Sequence, residues 1–573
     1  MRIRHIDADL LIIGGGAAGC YAAIRAARAA VPGPAPRIAL VEKAHIERSG
    51  CLAAGVNAIN AYIGEGRRPE DYVDYASRDA AGIVRGDLLL SMARRLNGTV
   101  RALEEMGLLV LKDGAGGYAA RGWRNVRIRG ENIKPLLAAA VSAESSVAVF
   151  NRVNVTAYLT EDNRIRGAVG FGVTEAVCYV FSAPAVICAT GGAAGLYRPN
   201  SPGFAGHALW YSPFNTGAGL AMGILAGAEM TTLEMRFVAL RCKGSIAPTG
   251  TLAQDAGAEQ LNRLGEAYGE RYGLSTAERV YGTRRENAAG RGPCFLRAAR
   301  AGSGQWEALC RSYLNMSPVQ TLQWVEEASA FSGNVTPPPA PGAEIEGTEP
   351  YVNGGHCAGG YWVDSDRQTT LNGLFAAGDV AGGCPQKYVS GAMAEAEIAV
   401  FAALDYARRC PLSPASVKAR DSSVREALAE AERFLRRPAA LFTADQLEEA
   451  MQQSMDSYAG GIGAQYRYNG AQLARAGDRI GQLLRLSEAL RATDMRELMR
   501  IYELRERLIL CRSLLAHLEA RRESRWPGFG EYAEYPEAED RWLLYVNSRL
   551  RAGEVRILFR DLVGKDERYE HTH

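Results

Sequence analysis

The 573-residue chain lacks most features that assign a sequence quickly. Among its 11 cysteines no two stand as C-x-x-C, so the sequence makes no case for a zinc site or an iron–sulfur cluster of its own. An odd, scattered set fits reduced thiols. No apolar run reaches the ~18–20 residues of a membrane span. The opening "MRIRHIDADLLIIGGG" has no cleavable signal pattern. These absences predict a cytoplasmic protein that is not integral to a membrane. Neither sign of charge is in excess: 66 Lys and Arg stand against 64 Asp and Glu. Nucleic-acid attraction is therefore not expected, and local cations must carry any anion binding. Glycine, by contrast, is abundant, with 63 residues. Many sit in short clusters after apolar runs, where backbone approaches a ligand closely.

The first such cluster is the most informative. "ADLLII" (8–13) reads as a strand buried on both faces, "GGGAAG" (14–19) follows, and "CYAAIRAARAA" is helix-forming. After a Pro/Gly loop comes a second apolar strand, "RIALVEK" (37–43), completing a βαβ unit. Gly14, Gly16 and Gly19, with Ala17 and Ala18 between them, give G-x-G-x-x-G at a strand end and helix start. There a pyrophosphate can approach the helix N-terminus. Glu42, followed by Lys43, ends the second strand where a carboxylate meets ribose hydroxyls.

Alternating stretches between 150 and 190 predict a small antiparallel meander leading into a second cluster, "ATGGAAG" (189–195), with Thr190, Gly191 and Gly192. A third, "GLFAAGD" (373–379), ends in Gly378 and Asp379. This spread resembles FAD-containing oxidoreductases more than NAD dehydrogenases. Asp379 would then meet the ribityl or pyrophosphate region, or simply cap a helix. The expected fold is an α/β FAD-binding domain, Rossmann-like and of glutathione-reductase type, in two parts (1–237 and 353–427). An α+β capping domain (238–352) is inserted between them, and a helical C-terminal domain (428–573) follows.

His356, in "YVNGGHCAGGYW" (351–362), has no second histidine and no carboxylate beside it. Taken alone it reads as a turn residue, a metal ligand or a group facing a substrate.

The stretch "EKAHIERSGCLAAGVNAINAYIG" (42–64) resembles the flavoproteins of fumarate reductase and succinate dehydrogenase, and most closely the adenylylsulfate reductase alpha-subunit family. Succinate dehydrogenases carry covalent FAD on a histidine beside the Arg-Ser pair. Here Gly50 follows Ser49, so the resemblance implies FAD held without a covalent bond. Further islands match in the same order. "GENIKP" puts an active-site glutamate at Glu131, and "WYSPFNTGAG" puts at Trp210 the tryptophan that lies between flavin and a partner's cluster. "RFVALRCKGSIAPTG" supplies Phe237, Arg241 and Gly250 for substrate binding, and Arg279 is the candidate for a second substrate arginine. "GGHCAGGYWV" puts His356 at the sulfate end of the substrate, and "CPQKYVSGAMAEAEIA" puts Tyr388 against adenine, with Ser390 at the cofactor. Asn60, in "NAINAY", falls in the substrate pocket or in a turn. "RRESRWPGFGEYAEYPE" completes the likeness. The pattern is broken by "GSIA" after Arg241, by Gln254 where an apolar residue is usual, and by a short 255–300 segment.

The resemblance implies a catalytic subunit that interconverts adenylylsulfate with sulfite and AMP through a flavin N5–sulfite adduct. Its electrons would be exchanged with a ferredoxin-like iron–sulfur beta subunit. Arg241 and His356 would offset the repulsion between a sulfur oxyanion and an electron-rich flavin. Two other readings stay open: a fumarate-reductase-like enzyme for another small anion, and a flavin electron-transfer subunit of a larger complex.

Overall fold

The computed structural model describes residues 1–30, 33–130, 132–200, 209, 211–243, 258–297, 343–412 and 421–571. Glu131, Trp210, Gly250 and Gln254 lie outside the described residues.

At the centre is a five-stranded parallel sheet in the order Leu374–Ala376, Ala185–Cys188, Leu10–Ile13, Ile38–Glu42, Val147–Asn151. Every residue of Leu10–Ile13 and Ile38–Glu42 is buried, as continuous apolar strands covered on both faces must be. Helices Ala17–Ala27 and Tyr388–Arg409 pack together against this sheet. The second arrives from the far side of the insertion, so the returning chain completes the same layer. The expected meander is present as Val153–Glu161, Arg164–Gly172 and Val177–Ser182. The N-terminal strand Arg2–Asp7 joins its edge in parallel.

The inserted segment folds as an antiparallel sheet, Leu240–Cys242, Ala343–Gly347, Cys294–Arg297, Glu259–Leu261, with helix Thr276–Ala288 beside it. Toward the C-terminus come helices Ser422–Arg436, Ala444–Tyr458, Gly470–Ser487 and Met495–Ala520. The last starts where the Asp494 side chain accepts hydrogen bonds from the amides of Arg496 and Glu497. From it, Arg507 donates to the carbonyls of Ala194 and Pro213, tying the helix to the loops around the central cavity.

The C-terminal region is not helical throughout. Leu544–Arg551 and Glu554–Asp561 form a hairpin that pairs with Met230–Thr231, which in turn pairs with Gly360–Tyr361. Its turn, Ala552-Gly553, has φ of +50° and +80°, the left-handed pair a two-residue hairpin favours. Gly360–Tyr361 follows the His356 loop directly, so the far C-terminus helps to hold that loop. Among the described residues no helix is long and apolar enough to cross a membrane.

Candidate active site

A cavity of 820 Å³ runs from the dinucleotide turn to the capping segment. Its nucleotide half is built by close backbone contacts. Gly14 has φ of +102°, and a Cβ there would lie 2.5 Å from the Ala189 carbonyl oxygen. A Cβ at Gly19 would lie 1.8 Å from the Gly14 carbonyl oxygen. Gly16 differs: it lines the cavity, and a Cβ there would meet nothing within 4 Å. The outer two glycines therefore make the turn possible, while the middle one keeps a cradle open for a pyrophosphate. Ala17 and Ala18 line the same wall.

Glu42 is fixed by two backbone amides, from Gly15 to Oε2 and from Ala44 to Oε1, each at 2.7 Å. Its carboxylate thus stands at the cavity edge where a ribose would lie. Lys43, also in the wall, pairs with Glu503 at 2.6 Å. Ser49 donates to the Gly15 carbonyl, and Gly50 lies beside it in the wall. Thr190, Gly191, Gly378 and Asp379 close the opposite side. Gly19, Gly192 and Ser390 are not in the wall: Gly19 and Gly192 pack on backbone, and the Ser390 hydroxyl donates to the Ala61 carbonyl.

Tyr211, which sequence reasoning passed over for its neighbour Trp210, links two of these loops. Its hydroxyl donates to Asp379 at 2.7 Å and accepts from the Gly192 amide. Burial raises the Asp379 carboxyl above its ordinary range, opposed by this hydrogen bond. Turn, ribose carboxylate and open glycine cradle together fit FAD.

The substrate half is aromatic and cationic. His356 stacks on Phe237, with centroids 4.2 Å apart and planes 21° from parallel. Tyr388 meets the imidazole edge-on at 5.1 Å. Tyr388 and Gln386 take φ of +52° and +63°, uncommon for non-glycine residues. Hydrogen bonds hold the pair in that shape. Tyr72 donates to the Gln386 carbonyl, Gln386 donates to Asp79, and the Tyr388 hydroxyl donates to Gln386 Oε1. Arg279 lies in the wall one turn into helix Thr276–Ala288, whose start is set by a Ser275/Glu278 capping box. Asn60 is in the wall as well, its Oδ1 accepting from Arg121 at 2.8 Å and its carbonyl from Arg124 at 3.0 Å. Both arginines line the cavity and were not anticipated. The signal was a run of four arginines in "RGWRNVRIR" in a chain of nearly balanced charge.

Arg241 departs from expectation. It is not in the cavity wall; Leu240 is. Ala239 and Leu240 both line the cavity, while the Arg241 side chain is turned to Glu346 on the neighbouring strand Ala343–Gly347. There it is 2% exposed, pairs with its cross-strand neighbour Glu346 at 2.7 Å and donates to Asn200.

His356 is not poised at neutral pH either. Burial pushes its imidazole down to about 3, so in the ligand-free site it is neutral. In the unfolded chain it protonates near 6.5, so its contribution to stability is complete above that pH and is lost as pH falls from about 6.5 toward 3. The wild type is expected to lose more stability between pH 7 and pH 5 than His356→Gln, measured by urea unfolding. Equal losses would contradict a neutral imidazole.

A family profile described as "FAD binding domain" matches residues 9–392. The alpha subunit of adenylylsulfate reductase from Megalodesulfovibrio gigas is 30% identical over 640 aligned positions, covering 96% of this chain and 94% of that one. The chain belongs to the adenylylsulfate reductase alpha-subunit family. Its backbone superposes on the structure of adenylylsulfate reductase from Archaeoglobus fulgidus with a TM-score of 0.89 at 32% identity, covering 99% of this chain and 98% of the other. A second structure, described as adenosine-5-phosphosulfate reductase in complex with sulfite as a covalent adduct, has the same score, identity and coverage. Membership of this family establishes an FAD-dependent oxidoreductase.

Proposed function

We propose that this chain is the FAD-bearing catalytic subunit of an adenylylsulfate reductase, interconverting adenylylsulfate with sulfite and AMP. The supporting observation is the Phe237–His356 stack in the wall of the cavity that also holds the dinucleotide turn, in a chain alike over its whole length to adenylylsulfate reductases. Bound FAD supplies the two-electron exchange with the substrate's sulfur.

The chain's own residues hold the anion. Arg279 offers a permanently charged planar fork to an oxyanion. Phe237 and Tyr388 hold the His356 ring on two sides, so its N–H is aimed without reorganisation. A dianion arriving beside a neutral imidazole raises its affinity for a proton, so His356 takes up a proton as the ligand binds. Asn60, with Oδ1 already accepting from Arg121, has its amide N–H groups as the end that serves a ligand. Asp379, Glu42 and the glycine turns position the cofactor. Electrons are exchanged with a ferredoxin-like iron–sulfur subunit, as the family resemblance implies.

The test uses reduced holoprotein mixed anaerobically with adenylylsulfate. Reoxidation of the flavin with release of one equivalent of AMP and one of sulfite is expected. Reoxidation by fumarate and not by adenylylsulfate would overturn the reading. Binding of sulfate, an unreactive stand-in for the sulfur oxyanion, should be accompanied by proton uptake near pH 6, read from the buffer dependence of the calorimetric heat. His356→Gln should abolish that uptake.

A further inference from the structure

We propose that Arg121 and Arg124, with Asn60 between them, form a second anion subsite of this cavity, which takes the phosphate group of the nucleotide substrate. The inference rests on the reading above, in which Arg121 only orients Asn60, and adds both arginines as ligands of the phosphate.

Both arginines lie on one tight turn ahead of strand Val126–Arg129. The turn is closed by the Arg121 amide donating to the Asn125 carbonyl at 2.9 Å, with Gly122 at φ of +66°. They reach Asn60 from two directions, one guanidinium at its side-chain oxygen and the other at its backbone carbonyl. Arg124 is also held from outside the cavity. Its guanidinium carbon lies 4.4 Å from the centre of the Tyr75 ring. That ring is itself set by edge-to-face contacts with Tyr72 and Trp123. The cation is thus held in place before any ligand arrives, which lowers the ordering cost of binding.

The charge balance around these groups points to a ligand. Buried arginines elsewhere in the protein are matched by carboxylates: Arg85 by Asp87 at 2.7 Å, Arg521 by Glu234 at 2.7 Å, Arg241 by Glu346 at 2.7 Å. Arg236 is the exception, but it is enclosed by the Tyr197 hydroxyl and three backbone carbonyls away from the cavity. Arg124 and Arg279 line the cavity without a carboxylate in contact among the described residues; Asp79 acts on Arg124 only through space, its carboxylate engaged by Gln386. A cation partly withdrawn from water without a counter-charge is costly, and a bound anion removes that cost.

Adenylylsulfate carries two anionic groups joined through one oxygen, so its site needs two adjacent cationic regions. Arg279 and His356 serve the sulfur end. The second region lies close by: Tyr388 touches the His356 ring and lines the same cavity as Arg121 and Arg124. Two planar guanidinium forks suit the bidentate geometry of phosphate better than that of a neutral ring.

The experiment measures AMP binding to the oxidised holoenzyme by calorimetry, with inorganic phosphate as competitor. Arg124→Gln and Arg121→Gln are each expected to weaken AMP binding by about 10- to 100-fold, the loss of a charge-assisted contact. Both should leave sulfite binding in the absence of AMP within two-fold of wild type. Inorganic phosphate should displace AMP from the wild type. AMP affinity within two-fold of wild type in both variants would overturn the proposal. If a Gln variant does not retain FAD, Arg124→Lys takes its place: it keeps the charge and loses the fork, and unchanged AMP affinity there also overturns the proposal. A wild type that binds no AMP at all refutes the proposed function instead.

Discussion

Arg279→Gln is expected to lower kcat/KM for adenylylsulfate by about 10²- to 10³-fold while the FAD spectrum stays intact, the usual range for losing one preorganised oxyanion donor. Arg241→Gln should behave differently. Arg241 is closed into an ion pair with Glu346 and a hydrogen bond to Asn200, behind the wall residue Leu240. Removing its charge strands Glu346, which is 28% exposed and so partly rescued by water. The expected loss is on the order of 2 kcal/mol of stability, read as a lower unfolding midpoint, with kcat/KM reduced less than ten-fold. The resemblance to related enzymes favours the reverse order, with Arg241 the dominant residue. Steady-state kinetics on the two variants side by side distinguish the two. A larger kinetic loss for Arg241→Gln than for Arg279→Gln would show that Arg241 turns into the cavity when substrate binds.

Gly19→Ala should abolish FAD binding altogether. Its added Cβ would sit 1.8 Å from the Gly14 carbonyl oxygen, a contact with backbone that no side-chain movement relieves. Either the helix Ala17–Ala27 shifts off the sheet or the turn opens, and in both cases the cradle is lost. Gly16→Ala gives the informative contrast. There the added methyl meets no protein atom but enters the space reserved for the pyrophosphate. The fold should therefore survive while FAD affinity falls. Measured as flavin content after purification together with thermal unfolding, Gly19→Ala should lose flavin and stability, and Gly16→Ala flavin alone. Full flavin retention in Gly16→Ala would displace the pyrophosphate from this turn.

The contrast also shows why parts of the site are legible in sequence and others are not. The dinucleotide turn is local: three glycines, a strand and a helix within about twenty residues dictate one another's geometry, so the pattern carries the structure. The capping box at Ser275, which sequence reasoning did not use, is local in the same way and starts the helix that presents Arg279. Arg121 and Arg124 reach the cavity only because strand Val126–Arg129 pairs with Ala58–Ile59, a contact more than sixty residues away in sequence. Arg241 shows the converse limit. Its position along the chain follows from resemblance, but which face of a strand it occupies depends on pairing with Glu346, on the far side of a long insertion. His356 stands out in the sequence for its glycine-rich loop, and it lines the cavity. Its neutrality, however, comes from burial between Phe237 and Tyr388, 119 residues before it and 32 after, which no local window contains. The C-terminal hairpin falls inside the stretch expected to be helical, because the helical run before it dominates the pattern there.

If one cavity holds FAD, a sulfur oxyanion and AMP together, the flavin reports on both ligands. The oxidised holoprotein is titrated with sulfite and followed by the flavin visible band, with and without AMP. Bleaching by sulfite, with a sulfite dependence that shifts when AMP is present, is the expected result. A flavin band unchanged by sulfite under both conditions would contradict the account.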